Sequence, residues 1–281
     1  MTGAFGTALR VSWERPAGRL GYLILMALLL VAAMLPPFLA DPTAQGNLLL
    51  ETLQPPSGAH PFGTDNLSRD VLARTIGGLR VSLGLGVLSV LLAVSVGTVV
   101  GLTAAVLGGR ADAVIMRGVD ALLSIPRLFV LLLAASPWER MPLPALMLLL
   151  GLTGWYGTSR LVRGEAVRLL AQDFVRSAEA LGADRLRIAW RHLFPNVTGP
   201  VLVSASLGVG EVVLLEAGLS FLGLGVRPPH PSLGIMIFDA RSAFAVTPWT
   251  SIFPGLAIIL TVLAVNLVGD ALRESFDPRS A

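Results

Sequence analysis

The chain has 281 residues, of which 54% are hydrophobic and 14% are charged, and its mean hydropathy is +0.74. A soluble domain of this length needs far more charge to cover its surface, so the composition predicts an integral membrane protein. All 21 basic residues are arginine and there is no cysteine, which excludes a lysine-containing phosphate-binding loop, Schiff-base catalysis and thiolate chemistry.

Six apolar runs of about 18 residues or more predict six membrane-spanning helices in an all-α fold. Their approximate bounds are 20–40, 80–107, 114–135, 142–160, 199–222 and 250–269. The first run follows three arginines, so a cleaved signal peptide competes with a retained helix. Because no clean A-x-A site closes this run, the retained helix is favoured.

The second run is about thirty residues long and must tilt or project beyond the lipid, since a bilayer needs only about 20. Gly97 and Gly101 form a G-x-x-x-G pattern that lets helices approach closely. Packing within the chain is favoured over a dimer face. Before this run, Asp65 or Asn66 is a candidate cap of an amphipathic helix on the outer surface.

The placement of the arginines predicts that both termini are cytoplasmic. Thirteen arginines then lie on the cytoplasmic side, whereas five, including Arg140, lie on the outer side. They are interspersed between spans and form no basic domain, so nucleic-acid binding is not expected. The cytoplasmic segments on this topology are 1–19, 108–113, 161–198 and 270–281.

The longest cytoplasmic segment contains the polar stretch RSAEALGADRLRIAWRHLFPN, residues 176–196. Asp173 is a candidate N-cap of a short helix through Leu181, and Gly182 stands where a left-handed residue would end that helix. The pattern therefore predicts a helix that lies at the cytoplasmic face and ends at a glycine elbow.

Asp184 is a candidate cap of a second short helix, and Pro195 is predicted to stop that helix. The residues expected to form its apolar face recur at helical spacing: Leu186, Ala189, Trp190 and Leu193. Two interpretations stay open at this point. One is a connector attracted to anionic lipid headgroups, and the other is a helix that docks in a partner protein's groove.

The polar stretch resembles the EAA loop of binding-protein-dependent ABC importer permeases, whose glycine and closing LPN have the spacing of Gly182 and LFPN. Where that loop often reads E-A-A, this chain has Arg176, Ser177 and Ala178, and its glutamate is Glu179. Three further stretches resemble the C-type subunit of the dipeptide/oligopeptide/nickel permease family. They are HPFGTDNLSRDVLARTIGGLRVSL (60–83), LLEAGLSFLGLGVRPPHPSLGIMI (214–237) and IFPGLAIILTVLAVNLVGDALRESFDPR (252–279).

The resemblance covers residues 60–279 and implies the transmembrane fold of type I ABC importers. Residues 1–60 would comprise a cytoplasmic tail, the first helix and the start of an outer loop. Residues 61–281 would form the permease domain, with 161–198 as its coupling loop. The residues implied to contact an ATPase are Ser177, Ala178, Glu179, Ala180, Gly182, Ala183, Arg191 and Pro195.

The resemblance further implies a homologous B-type permease, two cytoplasmic ABC ATPase subunits and an extracytoplasmic binding protein as partners within the lipid bilayer. The subunit itself would have no catalytic residues, no cofactor and no metal. The related family transports dipeptides, oligopeptides, nickel chelates and other small solutes, and peptide is the default expectation here.

Glu211 and Glu216 fall inside the fifth run, where a central acidic residue costs roughly 2.5–3.5 kcal/mol on insertion. They either line a solute path or pair with polar groups of neighbouring helices, and the second interpretation is favoured. Asp120 and Arg127 are seven residues apart in the third run, which places them on one helix face two turns apart, and they could bond neighbouring helices. An alternative class is a proton-coupled secondary transporter that uses Glu211, Glu216 and Asp120 as a relay.

Overall fold

The computed structural model describes residues 2–139 and 141–276, which form helices with no β-sheet. The predicted all-α class is therefore confirmed for this part of the chain. Arg140 lies outside the described residues, and so do residues 277–281, which form the end of the predicted cytoplasmic segment 270–281. The helices are α1 Thr2–Glu14, α2 Pro16–Met34, α3 Val71–Leu107, α4 Gly109–Leu123, α5 Arg127–Ala135, α6 Leu143–Leu152, α7 Trp155–Leu170, α8 Asp173–Ala180, α9 Arg185–Arg187, α10 Phe194–Phe221, α11 Leu233–Ala240 and α12 Trp249–Phe276.

Four helical stretches of the described residues are long and apolar enough to cross a membrane. They are α2, α3, the continuous helical stretch Arg185–Phe221 that includes α10, and α12. A fifth candidate is the pair α4 and α5, which is bent by 75° between the two helices. The sequence predicted about six continuous spans, so the difference lies in the third and fourth runs.

Both of these runs are broken by local backbone chemistry. Pro126 cannot continue α4, and the chain turns before α5 begins at Arg127. The fourth run, 142–160, is two helices, α6 and α7, which are separated at Thr153 and Gly154. At about 1.5 Å per residue, α5 and α6 are too short to cross a bilayer alone.

The long helix α3 packs against α2, α4, α6, α7, α10, α11 and α12. Its closest approach is to α7, where a Cβ at Gly97 would lie 2.7 Å from the carbonyl oxygen of Trp155. A Cβ at Gly101 would lie 2.5 Å from the carbonyl oxygen of Ser159. The G-x-x-x-G pattern therefore serves packing within the chain, as predicted.

The segment before α3 is held by buried charges. Asp70 caps α3, since its Oδ1 accepts a hydrogen bond from the Ala73 N–H at 2.8 Å. The predicted surface helix after Asp65 or Asn66 is wrong, because the Asp65 carboxylate is buried and accepts hydrogen bonds from Arg69 and Arg74. This pairing offsets part of the cost of burying these charges near the start of α3, whereas an unpaired charge there would carry the full cost.

Candidate functional site

The first helix of the polar stretch, α8, begins at Asp173. Asp173 was predicted to be its N-cap, and that prediction is wrong: Gln172 occupies the cap position with an extended backbone, and its side chain makes no capping bond. Asp173 lies instead in the first turn, where a carboxylate interacts favourably with the helix dipole. On the underside of α8, Val175 is fully buried and anchors the helix to the rest of the fold.

The glycine elbow is present as predicted. Gly182 has φ +85°, a left-handed conformation that is costly for residues with a Cβ. Its N–H donates to the Glu179 carbonyl at 2.9 Å, and the Ala183 N–H donates to the Ala178 carbonyl at 3.0 Å. These two bonds define a Schellman motif, which satisfies the last carbonyls of α8 and redirects the chain.

Asp184 caps the next helix as predicted, because its Oδ1 accepts a hydrogen bond from the Arg187 N–H at 2.8 Å. The predicted apolar face is only half correct. Of the predicted residues, Ala189 and Leu193 are buried, whereas Leu186 and Trp190 are 67% and 53% exposed. Ile188 and Val197 are buried in addition. Residues 188–193 form a π-helical turn, whose i→i+5 bonding admits an extra residue per turn and rotates the buried face.

Pro195 was predicted to stop this helix, and that prediction is also wrong. Pro195 lies in the first turn of α10, and the helical stretch continues from Arg185 to Phe221. The π turn widens the helix just before the proline, where a regular turn would clash with its ring. Asn196 Nδ2 donates to the His192 carbonyl at 2.6 Å, which satisfies one acceptor at this distortion.

The outward side of this region is accessible. We call residues 173–187 the coupling element. Within it, the predicted contact residues Ser177, Glu179, Ala180 and Gly182 are exposed, and Ala178 and Ala183 are half-buried. Beyond it, Arg191 is exposed and Pro195 is half-buried. The large apolar side chains of Leu181 and Leu186 are also exposed, at 90% and 67%. A surface of small residues with protruding leucines is suited to a groove on another protein.

A second candidate feature is a cavity of about 590 Å³ between α3, α7, α10 and the end of α12. Its wall is mostly apolar and includes glycines, and it contains Arg127 and Glu211. Arg127 Nη1 donates to Glu211 Oε1 at 2.7 Å. Glu211 therefore pairs with a polar group of another helix, and it also lies in the wall of this cavity.

Glu216 has different surroundings from Glu211. It is fully buried, and its two carboxyl oxygens accept hydrogen bonds from Ser82 at 2.9 Å and from Ser220 at 2.7 Å. Ser220 also accepts the Val226 N–H, and Ser82 accepts the Leu233 N–H. We call these residues the Glu216 cluster. It joins α3, α10 and the connection to α11, and Glu216 is not in the cavity wall.

Asp120 lies apart from both glutamates. It is exposed on α4, and its nearest ion-pair partner is Arg160 of α7, with an N–O distance of 3.4 Å. A stronger contact between the same two helices joins Asp112 to Arg163, with distances of 2.5 and 3.1 Å. This hydrogen bond from Arg163 to Asp112 raises the pKa of the Arg163 guanidinium. Asp120 and Arg127 bond neighbouring helices but share no helix face, because the chain turns at Pro126.

Sequence reasoning did not pair Arg127 with Glu211, and it did not find the serines around Glu216. The first pairing had a detectable signal, since both residues are ionisable and lie in apolar runs, where such groups seek partners. The serines had none, because hydroxyl residues are frequent in these runs and nothing in their spacing distinguishes those near Glu216.

Comparison with known proteins decides the family. Residues 97–281 match the family model described as binding-protein-dependent transport system inner membrane component. The chain belongs to this family. The matched region includes the coupling element, Arg127 and both intramembrane glutamates.

Several curated relatives of this permease cover most of the chain. It is 36% identical to the oligopeptide transport system permease protein OppC of Bacillus subtilis, over 92% of this chain and 84% of the relative. It is 37% identical to the glutathione transport system permease protein GsiD of Pectobacterium atrosepticum, over 94% of this chain and 86% of the relative. It is 36% identical to the dipeptide transport system permease protein DppC of Bacillus subtilis, over 92% of this chain and 80% of the relative.

The resemblance found in the motifs is thus confirmed, and the chain is a permease subunit of an ABC importer. Permeases of this family are transport components of the inner membrane that operate in systems with a binding protein, ATPase subunits and a partner permease. The proton-coupled alternative receives no support from these relatives.

Proposed function

We propose that this permease is the C-type subunit of an importer for short peptides and forms half of the translocation pathway with a homologous B-type subunit. The observation that carries this proposal is the similarity, over more than 90% of the chain, to permeases named for oligopeptide, dipeptide and glutathione transport. In this arrangement two ABC ATPase subunits lie at the cytoplasmic face, and a binding protein delivers the peptide from outside.

The coupling element is the ATPase docking site in this proposal. It is anchored by its own Val175 and by Ile188 and Leu193 of the turn that follows it, and all three belong to one buried apolar cluster with residues of α3 and α7. Its outer side presents small residues on both sides of the elbow at Gly182. A rigid base with an accessible outer face can transmit a push from a partner protein to the membrane helices.

The proposal is tested with the complete importer reconstituted in vesicles with its binding protein. We expect peptide uptake to require ATP and the ATPase subunits, and to persist when an ionophore collapses the proton gradient. Uptake that is driven by a proton gradient in the absence of the ATPase subunits would instead support a secondary transporter.

Both termini and the coupling element are cytoplasmic in this proposal, which predicts a specific labelling pattern. The chain has no cysteine, so single cysteines can be introduced without background. We expect Ala59→Cys, at an exposed site of the outer segment, to react with a membrane-impermeant maleimide in intact cells. Ser177→Cys should react only after the membrane is permeabilised, and the reverse pattern would contradict the proposed orientation.

A further inference from the structure

The cavity wall contains an ion pair whose two members differ in exposure. Arg127 and Glu211 face each other across the gap between α5 and α10, with 2.7 Å between Nη1 and Oε1. The Arg127 side chain is 19% exposed, whereas the Glu211 side chain is 61% exposed. Within the described part of the chain, Arg127 is the one ion-pair partner of Glu211.

Arg127 is held in place by neutral acceptors as well. Its Nη2 donates to the Leu150 carbonyl at 2.6 Å, and its Nε lies 3.3 Å from Thr153 Oγ1. The guanidinium also lies against Gly154, and a Cβ at that position would be only 2.8 Å from Nη2. A guanidinium has five N–H groups, so these three contacts leave two donors for a further acceptor.

Helix α10 contains both Glu211 and Glu216, and the Glu216 cluster shows how this helix holds a carboxylate that has a structural role. Glu216 is fully buried and accepts bonds from serines on two elements. Glu211 is mostly exposed to a cavity and depends on one contact. If the Arg127–Glu211 pair served only to join two helices, apolar side chains of similar volume would do so without the cost of desolvating charges.

We propose that Arg127 and Glu211 form a transient binding subsite for the two charged groups of a zwitterionic solute. The solute carboxylate displaces Glu211 and binds the fixed Arg127, and the released Glu211 carboxylate turns to the solute ammonium group. The ligand class is a short peptide with free termini. This inference rests on the proposed function and adds the recognition chemistry inside the permease.

The dimensions of the cavity fit such a solute. Pro200 and Glu211 both line it, and eleven residues of helix separate them, which is about 16 Å at 1.5 Å per residue. An extended tripeptide spans about 10 Å. The volume of 590 Å³ lies in the range of small-molecule sites, about 300–1,000 Å³. The cavity therefore has room for a tripeptide, which places both of its termini at the pair when it folds back on itself.

The internal pair also prevents tight binding. A solute carboxylate must compete with Glu211 for Arg127, so part of its interaction energy is used to break the existing ion pair. A transport pathway needs this property, because a solute must be bound well enough to enter and weakly enough to leave.

The test measures ATP-dependent uptake by the complete reconstituted importer with trialanine, trialanine amide and N-acetyltrialanine as probes. We expect Arg127→Gln to reduce uptake of the two carboxylate-containing peptides by roughly tenfold and to affect the amide much less. Glu211→Gln should reduce uptake of the two peptides with a free ammonium group and spare the N-acetylated form. Each ratio compares one peptide in variant and wild type with the same binding protein, so the preference of that protein cancels.

Two further variants separate recognition from folding. Arg127→Lys retains the charge and should restore part of the trialanine uptake that Arg127→Gln loses. Arg10→Gln removes an exposed ion pair with Glu14 on α1, outside the cavity, and should leave uptake of all three peptides unchanged. Equal losses for all three peptides, or no difference between lysine and glutamine at position 127, would overturn the subsite but leave the proposed function intact. A wild-type complex that imports no trialanine with ATP would overturn the peptide assignment itself.

Discussion

Gly182→Val is expected to reduce ATP-dependent peptide uptake by at least about tenfold while the subunit still assembles in the membrane. Gly182 has φ +85°, and a left-handed backbone costs a residue with a Cβ roughly 1–2 kcal/mol, more when it is β-branched. The two hydrogen bonds of the elbow, from Gly182 and Ala183 back to α8, would be lost when the backbone relaxes. The measurement is initial uptake together with ATP hydrolysis in the same vesicles, and hydrolysis should continue without transport.

The surroundings of this glycine allow a sharp control. Among the described residues other than its two chain neighbours, no atom lies within 4 Å of a Cβ built at Gly182, so the expected effect comes from the backbone and not from a clash. Asparagine adopts the left-handed region more readily than valine, so Gly182→Asn should retain more uptake. Gly164→Ala, at an open site within α7, should transport like the wild type. If Gly182→Val transports normally, the assignment of the docking site is wrong.

Glu216→Ala is expected to cause a large loss of stability. The change leaves a cavity and removes the acceptor shared by Ser82 and Ser220, both of which are buried. Deleting a buried side chain of this size costs about 3 kcal/mol or more. That cost lowers the unfolding midpoint by about 6–12 °C, measured as thermal unfolding of the purified subunit in detergent.

Two variants distinguish the Glu216 cluster from a general effect of mutation. Glu216→Gln preserves the shape and one acceptor oxygen, so its midpoint should fall less than that of the alanine variant. Ser95→Ala removes an exposed hydroxyl of α3 that bonds within its own helix, and it should leave the midpoint unchanged. An alanine variant at 216 as stable as the wild type would show that the cluster contributes nothing to stability.

Features set by short-range chemistry were predicted well from the sequence. The turn at Gly182 requires a positive φ, and the cap at Asp184 requires a short acceptor side chain, so residue type alone indicates both. The close approach of another helix at Gly97 and Gly101 was likewise predicted, from their G-x-x-x-G spacing. The membrane class followed from composition, since a chain with so few charges cannot cover a water-exposed surface.

Features that depend on contacts between distant segments were not predictable in this way. Pro195 has the local signature of a helix stop, yet the π turn before it and tertiary packing on α3 and α7 carry the helix through. The same turn rotated the buried face away from Leu186 and Trp190. The role of Glu216 depends on Ser82, which lies 134 residues away, and no period in the sequence links them.

The continuity of the helix from Arg185 to Phe221 has a mechanical consequence. Glu211 is 26 residues beyond Arg185, so a tilt of about 10° at the base would carry it roughly 7 Å, given about 1.5 Å of length per residue. Arg127 and the Leu150 carbonyl belong to other helices and would not follow. In the proposed complex, an ATPase that tilts the helix at its Arg185 end would by leverage separate the opposite charges of Arg127 and Glu211.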